Sequence, residues 1–310
     1  MDGTGCPSRG TGLSDLKQEV RRFYDAIGWR HIGEGLYQNA RYEDLRDVSR
    51  DYVQRCHRRV RRFLPKNGKY LLDAGSGPIQ YPEYLEYSED FSFRVCLDIS
   101  KVALDEARIR IAEHGLFVIA DIARLPFRDD IFKGIVSLHT IHHLPGDEHQ
   151  LAFKELLRTL AHQGCAVIVY SWGNASRLMR LFRRPMLWAN SLMGGSESKT
   201  NSQFPEENVP ATHDAELLES SSPSATFTFK HSFKWMKRNL AFIEGLEVRV
   251  WRSVSTSFMR AFIHPKLLGR LWLRIIFSLE ELLPHLLGHF GQYPLILFTK
   301  PADKVSGERH

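Results

Sequence analysis

Leu71-Leu72-Asp73-Ala74-Gly75-Ser76-Gly77-Pro78-Ile79-Gln80 is the stretch whose reading decides the fold. Its apolar first half suits a buried strand. The strand ends near an acidic residue, and the chain then turns at once through Gly-x-Gly. Glycine at 75 and 77 permits backbone dihedrals, and a close ligand approach, that a Cβ obstructs. Doubly wound folds bind nucleotides at such a turn, on the carboxyl edge of the sheet. Taken alone the turn is a weak sign, and its neighbours give it weight.

The next apolar run, Val95-Cys96-Leu97-Asp98-Ile99-Ser100, again ends on an acid. A carboxylate at Asp98 can accept hydrogen bonds from both hydroxyls of a ribose. A third run closes on Ala120-Asp121-Ile122, where Asp121 can accept from an adenine amine and the Ile122 amide can meet a ring nitrogen. Three successive strands ending in Asp along one sheet edge are hard to explain by chance.

Working outward, strands are expected at Tyr70–Ala74, Arg94–Asp98, Phe117–Asp121, Gly134–Leu138 and Cys165–Ser171. Helix-length segments separate them: Pro82–Tyr87, Val102–His114 with Ser100 as cap, and Glu148–Leu160. Val-, Ile- and Leu-rich strands alternating with helices imply an α/β, doubly wound, mostly parallel sheet covered on both faces. Around this core (66–172), the spacing predicts a tail at 1–13 and a helical cap at 14–65. The cap's helices start at Ser14 and at Tyr42, the second ending at Pro65. Residues 173–228 read as an insertion holding a polar loop, Gly194–Ala225. Residues 229–302 offer a helix near Phe233–Phe242, a strand at Leu246–Ser253, an apolar helical region Phe258–Leu287 and a last strand Tyr293–Thr299, before a tail at 303–310.

The 310 residues are 43% hydrophobic, enough for an ordinary core, and carry a formal charge of +6. That mild excess permits nucleic-acid binding without pointing to it. The arginines at 55, 58, 59, 61 and 62 suit a solvated helix face. Cys6, Cys56, Cys96 and Cys165 form no C-x-x-C pair, so no zinc or redox motif, and no other metal motif, is visible. No secretory pattern opens the sequence, and a cytoplasmic location is expected.

The ordered set LLDAGSG (71–77), VCLDIS (95–100), ADIARLPF (120–127), IFKGIVSLHTIHHL (131–144) and ELLRTLAHQGCAVIVYS (155–171) resembles the class I S-adenosylmethionine-dependent methyltransferases. In style it is similar to the small-molecule enzymes of ubiquinone and menaquinone biosynthesis. The resemblance implies a seven-stranded Rossmann-like sheet with a reversed last strand, and S-adenosyl-L-methionine as cofactor. It implies that Gly75 and Gly77 abut the methionyl and ribose parts, and that Asp73 orients the loop or the methionyl ammonium. Asp98, with Ile99 beside it, would hold the ribose, and Asp121 and Ile122 the adenine. The backbone of Ser137 and Leu138 would lie beside the methionyl group. The sequence departs from the pattern at Ile79, where a third glycine is usual, at Lys133 in place of Asp, and at His162-Gln163-Gly164 in place of Pro-Gly-Gly.

A nicotinamide-dependent oxidoreductase fits less well, because Gln80 stands where its fingerprint requires glycine. A non-catalytic S-adenosylmethionine-binding regulator would also keep the three acids. For an enzyme, His139, His142 and His143 follow the fourth strand and could deprotonate an acceptor. His139 is the better candidate, the other two suiting packing. The acceptor, read as a small molecule with lipid-like character possible, would sit among Tyr24, Tyr37, Tyr42 and the added segments. Arg177–Trp188 and Leu267–Leu287 mix basic and apolar residues, which suits a cap packed on the protein's own core and also a lid or a peripheral membrane contact.

Overall fold

The computed structural model describes residues 15–33, 36–193 and 226–302. The expected tails, the cap at Ser14 and the polar loop Gly194–Ala225 lie outside them. Seven strands form one sheet: β1 (Gly68–Ala74), β2 (Phe91–Asp98), β3 (Gly115–Ile119), β4 (Phe132–Leu138), β5 (Leu160–Val169), β6 (Glu247–Arg252) and β7 (Tyr293–Thr299). Their order is β3-β2-β1-β4-β5-β7-β6. The first five run parallel and β7 is antiparallel to both β5 and β6. This is the sheet that the family resemblance implies.

Alternation along the strands divides the core in two. Leu71, Cys96, Val136, Val167 and Leu295 face one side, packed with Tyr52 and Cys56 of helix α2 (Asp47–Arg59), Leu104 and Ala107 of α3 (Lys101–Ile111) and, beyond these, Leu273 and Phe277 of a C-terminal helix. Leu72, Val95, Ile135, Ala166 and Ile296 face the other, under Phe153 and Leu156 of α4 (His149–Thr159) and Met236. The sheet is thus covered on both faces, and its carboxyl edge stays open for a site.

Several boundaries differ from expectation. The first helix, α1 (Asp15–Phe23), passes into a π-helical turn at Tyr24–Gly28, and a short hairpin pairs His31–Gly33 with Leu36–Tyr37. The helix foreseen from Tyr42 starts at Asp47, after a 3-10 segment. The apolar region foreseen as one helical run breaks into α7 (Thr256–Phe262), α8 (Gly269–Leu282) and α9 (Pro284–Phe290). Pro265 and Pro284 lack the amide that helix continuation needs, which explains both breaks. The insertion contributes α5 (Arg177–Met193), and α6 (Phe233–Asn239) precedes β6.

Candidate functional site

The loop after β1 keeps pairing with β2 beyond the last strand residue. The amides of Gly75 and Ser76 both donate to the Leu97 carbonyl, at 2.7 and 3.1 Å. Gly75 has φ +77°, and a Cβ there would meet the Thr140 side chain at 2.2 Å. Gly77 has φ +54°, and its missing Cβ faces the Trp29 ring at 3.1 Å. Both positions therefore need glycine on conformational and steric grounds. Ile79 also adopts positive φ, +55°, while fully buried. The departure seen in the sequence thus sits where glycine relieves strain, and the Ile79 side chain fills core instead.

Asp73 is buried beneath this loop, where Arg94 of β2 meets it at 2.5 Å through Nη2. Burial raises the Asp73 carboxyl against the pull of that guanidinium. Arg94 also donates to the Tyr84 carbonyl at 2.5 Å, so its charge is fully engaged. Asp73 can therefore shape the loop from below.

Asp98 accepts from the Gly77 amide through Oδ2 and from the Ser100 amide through Oδ1, both at 2.9 Å. Each oxygen keeps a lone pair for another donor. Burial lifts its pKa to about 6, against the lowering effect of the two amides. Ser100 caps α3 by accepting from the Ala103 amide, and its hydroxyl donates to Asp25. Asp121 accepts from the Ala123 amide at 2.9 Å, and its other oxygen is ion-paired with Lys17 of α1, which also pairs with Glu148.

The N-terminal segment roofs this edge. Besides Lys17 and Asp25, Tyr24 stacks on Trp29 with centroids 4.8 Å apart, and its hydroxyl lies 2.9 Å from Nε2 of His143. The Nδ1 atom of His143 lies 2.8 Å from the Phe227 carbonyl, which can only accept. Nδ1 therefore carries the proton, and Nε2 accepts from Tyr24. This occupies His143 structurally.

Beneath the roof lies a cavity of about 860 Å³. Asp73, Gly75, Gly77, Asp98, Ile99, Asp121, Ile122, Leu138, His139, His142 and His143 all line it. Ser137 does not line it: buried, it donates to the Ala74 carbonyl at 2.8 Å and ties β4 to β1. Tyr24 and Tyr42 line the cavity, whereas Tyr37 is buried away from it and donates to Glu106 at 3.1 Å. Tyr37 is therefore removed from the expected acceptor pocket.

Charge divides along the sheet edge. Over β1 to β3 the wall carries Asp73, Asp98 and Asp121 with Lys17; over β5 to β6 it carries Lys230, Arg252, Arg180, Arg183 and Arg260 with Glu43. Arg252 is buried and ion-paired with Glu43, yet its Nε has no hydrogen-bond partner among the described residues. Arg180 and Arg183 belong to α5, whose Met186 and Leu187 also line the cavity, while Phe182 packs on Phe258 at 5.1 Å.

His139 stands between the two halves at φ +55°, its ring edge-on to Trp251 at 4.8 Å and Tyr293 at 5.5 Å. Burial, with the Arg252 charge next in weight, pushes its pKa down to about 3. It is a neutral but weakly basic imidazole at neutral pH. Burial brings Lys230 down to about 8, so its proton exchanges more readily near neutrality.

Lys17, Trp29, Arg94 and Lys230 escaped the sequence reading. Arg94 had a legible signal, since an arginine inside an apolar strand demands a buried acid and Asp73 is near. Lys17 shares the apolar face of α1 with Val20, a second such signal. Lys230 follows the long polar stretch and belongs to no motif.

Residues 72–168 match a family model described as a methyltransferase domain. The probable tRNA methyltransferase 9B of Mus musculus is 30% identical over 156 residues, covering 49% of this chain and 33% of that protein. The tRNA (carboxymethyluridine(34)-5-O)-methyltransferase alkbh8 of Xenopus tropicalis is 31% identical over 162 residues, 52% of this chain and 22% of its own. The chain thus spans a third or less of these relatives' length. Among solved structures, the (4+2)-cyclase SpnF superposes with a TM-score of 0.50 at 16% identity, covering 94% of this chain and 98% of that one. The matched segment, the strand order and the glycine loop with its flanking acids agree, and the chain carries a class I S-adenosylmethionine-dependent methyltransferase domain.

Proposed function

We propose that this chain transfers a methyl group from S-adenosylmethionine to a small acceptor bearing an anionic group, a carboxylate or a phosphate. The division of charge along the cavity carries this reading: acids line the half that the glycine loop borders, and cations line the half over β5 to β6. The residues of the acidic half suit the cofactor. Asp98 has acceptor capacity left for ribose hydroxyls, and Gly75 and Gly77 leave a backbone surface free of Cβ atoms. Bound there, S-adenosylmethionine supplies an electrophilic methyl group.

The chain's own task is alignment, which can lower a barrier by several kcal/mol (about 7–11 in favourable cases). Arg252, Arg260 and Lys230 would hold the acceptor's charge, and Trp251, Met179 and Leu187 would cover an apolar part, lipid-like or not. An ionised oxygen needs no base, which agrees with the weak basicity of His139. Where a proton must leave, Lys230 would receive it only in its neutral form, which becomes populated as the pH rises through about 8.

A second reading, a nucleoside within tRNA, is favoured by the names of the matched relatives. Incubation with methyl-tritiated cofactor, a small-metabolite extract and, separately, purified tRNA distinguishes them. Label in anionic small molecules is the expected result. Label in tRNA alone would replace it with the second reading, and cofactor binding without transfer would indicate a non-catalytic binder.

A further inference from the structure

Helix α8 presents two apolar faces, and the core accounts for one. Gly269, Leu273, Phe277 and Glu280 share the buried face. At 100° per residue, a second stripe formed by Leu271, Trp272, Ile275, Leu279 and Leu282 projects from the adjoining flank. These side chains are exposed, Trp272 by 54% and Leu282 by 74%. Scattered apolar residues are normal on a surface, but a run at helical spacing is not.

The stripe cannot turn inward. Oε1 of Glu280 accepts from the Tyr52 hydroxyl and from the amide and hydroxyl of Ser253, each at 2.7 Å, and Oε2 accepts from Arg59 at 3.1 Å. These buried bonds fix the rotation of α8 about its axis. On the remaining flank stand Arg270 and Arg274, with Lys266 just ahead of the helix, all exposed and forming no ion pair with a described residue. The acid on that flank, Glu281, is already held by Arg59 and Arg62.

An outward apolar stripe beside unpaired cations is the pattern of a helix lying in a membrane interface. No helix among the described residues is long and apolar enough to cross a membrane. We infer that α8 docks this protein on an anionic lipid surface, with Trp272 and its neighbours entering the headgroup boundary and Lys266, Arg270 and Arg274 meeting lipid phosphates or carboxylates. Charge complementarity selects this occupant over a second copy of the chain, since self-association would bring the same cations into proximity. The inference stands apart from the choice of methyl acceptor.

The test is co-sedimentation of the full chain with vesicles of phosphatidylcholine, alone or mixed with phosphatidylserine, at low and high salt. The wild type should bind mixed vesicles preferentially and more weakly as salt rises. Trp272→Ser combined with Leu279→Ser should weaken binding at least about tenfold at either salt. Arg270→Gln combined with Arg274→Gln should weaken it by about fivefold per arginine at low salt and little at high salt. The substituted side chains are exposed, and an unchanged melting curve checks the fold. Failure of the wild type to sediment with mixed vesicles overturns the inference, as does binding indifferent to the Trp272 and Leu279 changes. Light scattering that instead reveals a dimer dissolved by those two changes would assign the stripe to a second copy.

Discussion

The hydroxyl of Tyr24 donates to Nε2 of His143 at 2.9 Å, joining the N-terminal roof to the segment after β4 across 119 residues. Because Nδ1 of His143 donates to the Phe227 carbonyl, one imidazole holds two distant segments over the cavity. Tyr24→Phe keeps the stacking on Trp29 but leaves a half-buried acceptor without its donor. Urea unfolding should show a loss of about 1–3 kcal/mol. Tyr24→Phe with wild-type stability would remove the contact from the account of the roof.

Lys17 lies between Asp121 and Glu148, and all three side chains are largely buried. Lys17→Met removes the shared cation and leaves two close carboxylates. The fold should lose roughly 3 kcal/mol, in the range for breaking a buried pair. Adding Glu148→Gln should recover part of that loss, because one source of repulsion is gone. Urea melts of the two variants read both effects, and equal stabilities would contradict the coupling.

Cofactor affinity should depend on pH through Asp98. Its pKa is raised to about 6, so in the free protein the carboxyl becomes protonated below that pH. Relative to the unfolded chain, this raised pKa favours the fold most below the ordinary Asp pKa, and that contribution is gone above about pH 6. Ribose hydroxyls need the ionised form, so binding runs in the opposite direction. Affinity should be about tenfold weaker near pH 5 than near pH 7.5, with a proton released on binding. Titrations in buffers of different ionisation enthalpy measure both, and Asp98→Asn should flatten the dependence.

His139 supplies a test of proton transfer. A general base there would make His139→Ala lose about 10²–10⁴ in turnover. Its pKa near 3 and an ionised acceptor lead to a smaller loss, under about tenfold, with no His139 inflection in the pH–rate profile. A large loss of kcat with an intact KM would restore the base.

The core was legible because its signals are local. Gly75, Gly77, Asp98 and Asp121 follow strand ends that alternate with helices, and connection rules then place those ends along one edge. The partners that complete the site come from far along the chain. Lys17 and Asp121 are 104 residues apart, and Arg252 and Glu43 are 209 apart. No periodicity encodes such pairs; packing creates them. The assignment of Tyr37 to the pocket failed for the same reason, because Glu106 of α3 holds it elsewhere. The breaks at Pro265 and Pro284 were present in the sequence, but the strong apolar pattern around them masked the stops.

Calorimetric titration of the folded wild type and of Asp98→Ala with S-adenosylmethionine tests the cofactor site most directly. The expected result is saturable one-site binding by the wild type and an affinity at least about tenfold lower in the variant, from the loss of one or two charge-assisted hydrogen bonds. Equal affinities in two folded proteins, or no binding by the wild type, would contradict it.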